Sequence, residues 1–420
     1  MSEIRIQDDL YNYVNHEWLE KAEIPADKPV AGGFAELQKE VERKLLNDFL
    51  EMSKTKQYPS KHLENAVKLF DAFKDVKKRN KLGIKPALKY LSKLYKLQNL
   101  SQFNRNLKEF VLCGYQLPFQ LDVSANSHDT SKYCLLIMGP STILPDSSYY
   151  KPEMAQQKEM MLGLWTNSAT AILAQTKLTE EEQAKFLTDT IAFDEKIGLV
   201  VKSNEEWSDY INIFNATKTR TVASQLKPIK FRKLLVDLFG DVVGEVMVAD
   251  TRWLKEFKTI FNEESFEEFK HWSYVTTLLN TTSFLSEQLR ELGGTFMRTL
   301  MGVVEMESAE KAAYNLASNT FSDPVGLYYG EKYFGLAAKK DINEIVKSII
   351  EQYKVRLKQN SVLSDETKQK AVIKLDKMVC KMGYPDKVDK IYDELVYNDE
   401  LNVFENICNL RRITRMESFS

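Results

Sequence analysis

The sequence has 420 residues, 43% hydrophobic and 28% charged, a balance that suits a soluble globular chain of roughly two or three ordinary domains. Sixteen glycines and eleven prolines are few for that length and favour long helices over many short strands joined by turns. A formal charge of −2 excludes a bulk field that would hold the chain to nucleic acid or an acidic membrane.

Met1 to Leu10 is polar and acidic, without the apolar core of an export signal. Gly32-Gly33 follows no strand and reads as a plain turn into a helix, not a phosphate loop. The basic run Lys74, Lys77, Lys78, Arg79 and Lys81 reads as a solvated helix end or loop. Phe119, Leu121 and Val123 alternate with polar residues, Tyr133 to Met138 is a short apolar run, and the polar stretch Asn126 to Ser131 separates them. That pattern predicts one β-hairpin. Thr179 and Glu182 form a capping box that opens a helix through Ile197, with Phe186, Phe193 and Ile197 on one face. Ser265 and Glu268 suggest a second box before Phe269, Trp272 and Val275.

The pattern breaks at Pro25 to Gly33 and again at Tyr329 to Lys340, where Gly330 and Gly335 interrupt it. Ile342, Ile345, Val346, Ile349, Ile350, Tyr353 and Leu357 then recur at steps of three and four, one apolar face over four turns. Val372, Leu375 and Val379 continue the theme. Stretches such as Cys134 to Met138 and Ile197 to Val201 are far too short to span a bilayer. The expected fold class is mainly α, with one small β-hairpin.

No self-contained active site emerges. The four histidines, His16, His62, His128 and His271, include no pair at the three- or four-residue spacing that turns two imidazoles toward one metal. His16-Glu17-Trp18-Leu19-Glu20 lacks the second His of a zinc-protease helix, so a structural or surface role is the better reading for His16 and Glu20. There is no GxSxG elbow. The cysteines Cys113, Cys134, Cys380 and Cys408 show no CxxC pair, and reduced thiols in the cytoplasm account for them most simply. Tyr149-Tyr150 and Tyr328-Tyr329 read as core.

Four stretches carry a resemblance in order and spacing: Gln7-Asp8-Asp9-Leu10-Tyr11-Asn12-Tyr13-Val14-Asn15-His16-Glu17-Trp18-Leu19 with Ile24-Pro25 after it; Ile143-Leu144-Pro145-Asp146-Ser147-Ser148-Tyr149-Tyr150; Gly326-Leu327-Tyr328-Tyr329-Gly330-Glu331-Lys332-Tyr333-Phe334; and Met382-Gly383-Tyr384-Pro385-Asp386. Together they resemble the neprilysin-like zinc metalloendopeptidases, in particular the bacterial endopeptidase O branch. The resemblance implies a helical cap over a catalytic lobe, hydrolysis of oligopeptides, and partners limited to peptide substrates and a C-terminal catalytic half, with no nucleic acid and no membrane. It implies three divisions: 1–44 packing with the catalytic lobe, 45–340 as the cap, and 341–420 leading into the catalytic domain, with the two ends lying together.

Where extracellular members carry disulfide cysteines flanking the first motif, this chain has Gln7 and Asn15, as a cytoplasmic branch would. Where some members clamp a substrate carboxylate with Arg, it has Val30, with Ala35 and Gln38 at the partner positions. Phe34 matches the aromatic that the family places against the pocket for the residue after the scissile bond; simple core packing is the competing reading. The family's His-Glu-x-x-His zinc helix and later Glu ligand lie beyond the matched region, so the resemblance implies zinc in the full-length enzyme and no catalytic or metal residue in this chain. The alternatives are a non-catalytic helical module that binds peptides or a partner, and an inert remnant.

Overall fold

Thr179 accepts a hydrogen bond from the Glu182 N–H at 3.2 Å, and the Glu182 carboxylate accepts from the Thr179 N–H at 2.7 Å. This reciprocal cap satisfies two donors that helix geometry leaves unpaired, and it opens the helix Glu180–Gly198. Phe186, Phe193 and Ile197 fall on its buried face as their spacing predicts. The helix packs along Phe266–Thr281. Around that pair Phe103 meets Phe110, Phe261, Phe266 and Phe269, and Phe193 meets Trp272. This aromatic mass is the main core of the chain.

The computed structural model describes residues 5–127 and 129–419. His128, with Met1 to Ile4 and Ser420, lies outside the described residues. Contacts divide the chain into two units. The first is Met1–Lys39, Ala72–Ala309 and Asn398–Ser420; the second is Glu40–Asp71 and Glu310–Tyr397. This partition follows contacts alone and differs from the division expected at 44/45 and 340/341. No helix of the described residues is long and apolar enough to cross a membrane.

The fold is mainly helical, and the expected hairpin is present. Strands β1 (Gln120–Asn126) and β2 (Asp129–Met138) pair antiparallel, with Leu121 opposite Ile137. The strands run closer to the turn than the polar stretch suggested, with a bulge at Ala125/Asn126. The hairpin is half of a four-stranded sheet. Strand β3 (Asn215–Lys218) and strand β4 (Glu245–Val248) complete it in the order β1-β2-β4-β3, with β4 parallel to β2. Both added strands have only four residues, too few for alternation to register in a sequence.

Two local expectations are corrected. Ser265 does not cap the helix that follows it. Its hydroxyl donates to the Ile260 carbonyl at 2.7 Å and accepts from the Asn262 N–H at 3.1 Å, closing the preceding turn. Glu268 instead pairs with Lys196. The second correction concerns the basic run. Lys77, Lys78 and Lys81 are exposed, but Arg79 is 1% exposed. Its guanidinium donates to the carbonyls of Phe73 (2.7 Å) and Leu285 (2.6 Å) and to Glu287 (2.9 Å), and it lies over the Phe73 ring. One side chain thereby joins segments about 200 residues apart in sequence.

In the second unit a single π-turn, Gly330–Phe334, precedes the long helix Gly335–Gln359, which has no buried residue. The apolar face read from the sequence is present, yet Ile345, Ile349 and Tyr353 stand exposed along it.

Removing a buried cation that holds three acceptors is among the few single changes worth about 3–5 kcal/mol. Arg79→Met is expected to lower the unfolding free energy of the first unit by that amount in urea titration. Lys77→Met, on the exposed side of the same helix, should change it by less than about 0.5 kcal/mol.

Candidate functional site

Several links tie the N-terminal stretch to the rest of the first unit. Asp9 caps the helix Leu10–Leu19 by accepting from the Asn12 N–H at 2.9 Å. That bond is the first cause holding the Asp9 carboxyl below its usual range. The Trp18 indole donates to Glu36 at 3.0 Å, and the Ala26 carbonyl accepts from the N–H groups of Val304 and Glu305. The helix buries no residue. Phe34, one residue into the helix Gly33–Thr55, is 91% exposed, and Val30 and Leu37 beside it are exposed as well. Core packing within this chain is therefore not the role of Phe34.

Two of the motif stretches interlock in the second unit. A Cβ at Gly330 would overlap the Tyr384 ring, so the 326–334 stretch must have glycine there to receive Tyr384. Phe334 meets the same ring edge-on, its centroid 6.2 Å away. Lys339 donates to the Tyr384 carbonyl and to Asp386, each at 2.6 Å. Asp48 accepts from Lys332 at 2.8 Å and from the Tyr333 hydroxyl at 2.9 Å.

A third motif stretch is built around a buried carboxylate in the first unit. Asp194 is 1% exposed. It accepts from the Ile143 N–H at 3.1 Å, from the Trp272 indole at 3.0 Å and from the Tyr150 hydroxyl. The Leu144 N–H donates to the same tyrosine oxygen at 3.2 Å. Asp146 accepts from the N–H groups of Ser148 (2.7 Å) and Asn204 (2.5 Å). A Cβ at Gly198 would overlap the Tyr150 ring, so glycine at that helix end is what lets Tyr150 reach Asp194. Burial pushes Asp194 up to about 6, with its three donors pulling the other way.

Comparison with known proteins now decides the family. A profile described as peptidase family M13 matches residues 6–385. The chain belongs to peptidase family M13. Within M13 it is 35% identical over 402 residues to a neutral endopeptidase of Lactobacillus helveticus, a match covering 95% of this chain and 62% of that protein. It is 31% identical over 417 residues to a Streptococcus gordonii protein named as a zinc metalloproteinase, covering 99% of this chain and 74% of that one. The crystal structure of PEPO from Lactobacillus rhamnosis HN001 superposes with a TM-score of 0.92 at 31% identity, covering 99% of this chain and 66% of that chain. The chain thus spans a little under two thirds of the first of these relatives.

An M13 zinc centre needs two imidazoles and a carboxylate converging on one point. Among the described residues no group of three or more His, Cys, Asp or Glu side chains does so. His16 turns its Nδ1 to its own helix, 3.2 Å from the Asn12 carbonyl. His62 bonds Asp393 at 2.9 Å. His271 lies 2.6 Å from Asp189 and stacks on Phe186, and burial holds its pKa below the ordinary value while Asp189 pulls it up. These residues do not fit a zinc site. The thiols of Cys113 and Cys408 are unpaired, and burial pushes both up to about 12, which leaves little thiolate for chemistry. Sequence reasoning missed Asp194, Arg79 and Asp48 as organising groups. Each partners residues distant along the chain, and no local spacing marks them.

The Asp194 carboxyl binds its proton more tightly folded than unfolded. The stability this contributes is complete below the unfolded value near 3.9 and is lost as pH rises through about 6. Relative to Asp194→Asn, which cannot ionise, the wild-type chain should lose roughly 2–3 kcal/mol of stability between pH 4 and pH 7. Parallel urea titrations of the two across that range measure it; a difference that stays flat would contradict the burial account.

Proposed function

We propose that this chain forms the helical, non-catalytic cap of a zinc metalloendopeptidase that hydrolyses oligopeptides, with metal and catalysis supplied by a lobe outside these 420 residues. The observation that carries the reading is the exposed apolar surface of the 335–379 region. Leu336, Ile345, Ile349, Tyr353, Ile373 and Val379 are all exposed although most keep a helical period. Contiguous apolar surface beyond a few hundred Å² marks an interaction site, and its burial is worth on the order of 25 cal/mol per Å². Membership of M13 supplies the chemistry of the partner.

In this reading segments 1–44 and 341–420 face the catalytic lobe, and 45–340 encloses the substrate chamber. Phe34, exposed at the start of its helix, packs against the substrate residue that follows the scissile bond. The four unpaired thiols suit a reducing, cytoplasmic setting.

The test mixes this chain with a separately expressed catalytic portion of an M13 enzyme and follows cleavage of a fluorogenic oligopeptide. Neither part alone should cleave it, and the mixture should do so in a chelator-sensitive way. Phe34→Ala should raise KM several-fold with a smaller effect on kcat, roughly the loss of one apolar pocket contact. Cleavage by this chain alone, or an inert mixture of folded parts, would overturn the reading.

A further inference from the structure

Three helices of the first unit, Ala155–Leu173, Phe266–Thr281 and Glu287–Met301, line a half-open cavity of about 330 Å³ together with residues 141–143. Trp165 and Ser168 lie one turn apart on the first helix, Trp272 and Thr276 one turn apart on the second, and Phe296 and Met297 adjoin on the third. None of the lining residues has an ionisable side chain.

The polar groups of the lining separate into those already engaged and those left over. The Trp272 indole donates to Asp194, which fixes its ring as a wall. The Thr276 hydroxyl donates to the Trp272 carbonyl at 2.5 Å and the Thr142 hydroxyl to the Leu144 carbonyl at 2.7 Å. The Trp165 indole N–H and the Ser168 hydroxyl, on side chains more than nine-tenths buried, have no hydrogen-bond partner among the described residues and are not sealed from solvent. The side-chain amides of half-buried Gln116 and exposed Asn280 on the same lining also have no partner among the described residues. Here two donors and two amides face one space walled by tryptophan, phenylalanine, leucine and methionine.

That lining asks for a ligand with a large apolar group and neutral hydrogen-bonding groups on its flanks. A charged flank would find no counter-charge on this lining. We propose that the cavity is a subsite for an aromatic or large apolar residue in the interior of a peptide, whose flanking amides meet Trp165, Ser168, Gln116 and Asn280. The source of such a peptide rests on the peptidase reading above; the recognition rests on the cavity alone.

The probe is N-acetyl-phenylalaninamide, which presents a ring between two amides, titrated into the full 420-residue chain by calorimetry. Saturable binding with millimolar or tighter affinity is expected, at least about tenfold weaker for zwitterionic phenylalanine. Ser168→Leu, which fills the buried end, and Met297→Trp, which narrows the cavity from a half-exposed position, should each weaken binding at least about tenfold. The thermal midpoint of Met297→Trp should match wild type, so that loss of binding is not loss of fold. Absence of saturable binding up to about 10 mM probe, roughly −2.7 kcal/mol, would mean that the cavity holds only water. That result, equal affinity for the zwitterion, or wild-type affinity in both variants overturns the proposal. No hydrolysis is measured: a bound probe beside an inert two-part mixture leaves a peptide-binding module, and an active mixture with no probe binding leaves the peptidase reading without this subsite.

Discussion

The first unit depends on satisfying one buried carboxylate. Asp194 has nearly no solvent contact, and an unpaired carboxylate there would cost far more than a domain can spare. Three donors from separate segments meet the need: a backbone N–H at Ile143, an indole at Trp272 and a phenol at Tyr150. Their convergence fixes the course of the chain from Ile143 to Tyr150, requires glycine at position 198 and orients the Trp272 ring that walls the cavity. The same arrangement explains the stretch Ile143 to Tyr150 as a physical requirement: Asp146 is needed because it satisfies two further backbone donors as the chain turns.

The second unit repeats the principle and then departs from it. Lys339 ties the Tyr384 carbonyl and Asp386, and Asp48 gathers Lys332 and Tyr333, so the chain around the π-turn is well anchored. The helix that follows is tied at its first turns by Lys339 but leaves much of its length exposed. It runs for 25 residues without burying one, although its sequence has the period of a core-facing helix. Lys354 bridges it to Asp376 at 2.7 Å, but a surface ion pair of this kind is weakened by solvent and salt.

How much of this was legible in the sequence follows from how local each cause is. The Thr179 cap and the 180–198 helix were readable because the cap and the apolar face lie within one segment. The hairpin was readable because one strand alternates, the other ends in a short apolar run, and a polar stretch separates them. Ser265 has the spacing of a cap, but its hydroxyl was claimed by the turn before it, a competition that spacing does not reveal. Arg79 sat in a run of exposed lysines, and only its partners near Leu285 and Glu287 distinguish it. The role of Phe34 was suggested by resemblance alone; its exposure removes packing within this chain and leaves a surface role. The cavity needs three helix faces at once, so its unpaired groups appear only when the fold brings Trp165, Ser168 and Asn280 together.

We propose that the exposed apolar face of the long helix in the second unit is covered by a catalytic lobe. Amide hydrogen exchange across residues 335–379, measured on this chain alone and again with a separately expressed M13 catalytic portion, tests it most directly. The account predicts fast exchange along the exposed face in isolation and strong slowing when the catalytic portion is added, with the 180–198 helix protected in both. Full protection of 335–379 in the isolated monomer, unchanged by the added portion, would contradict it.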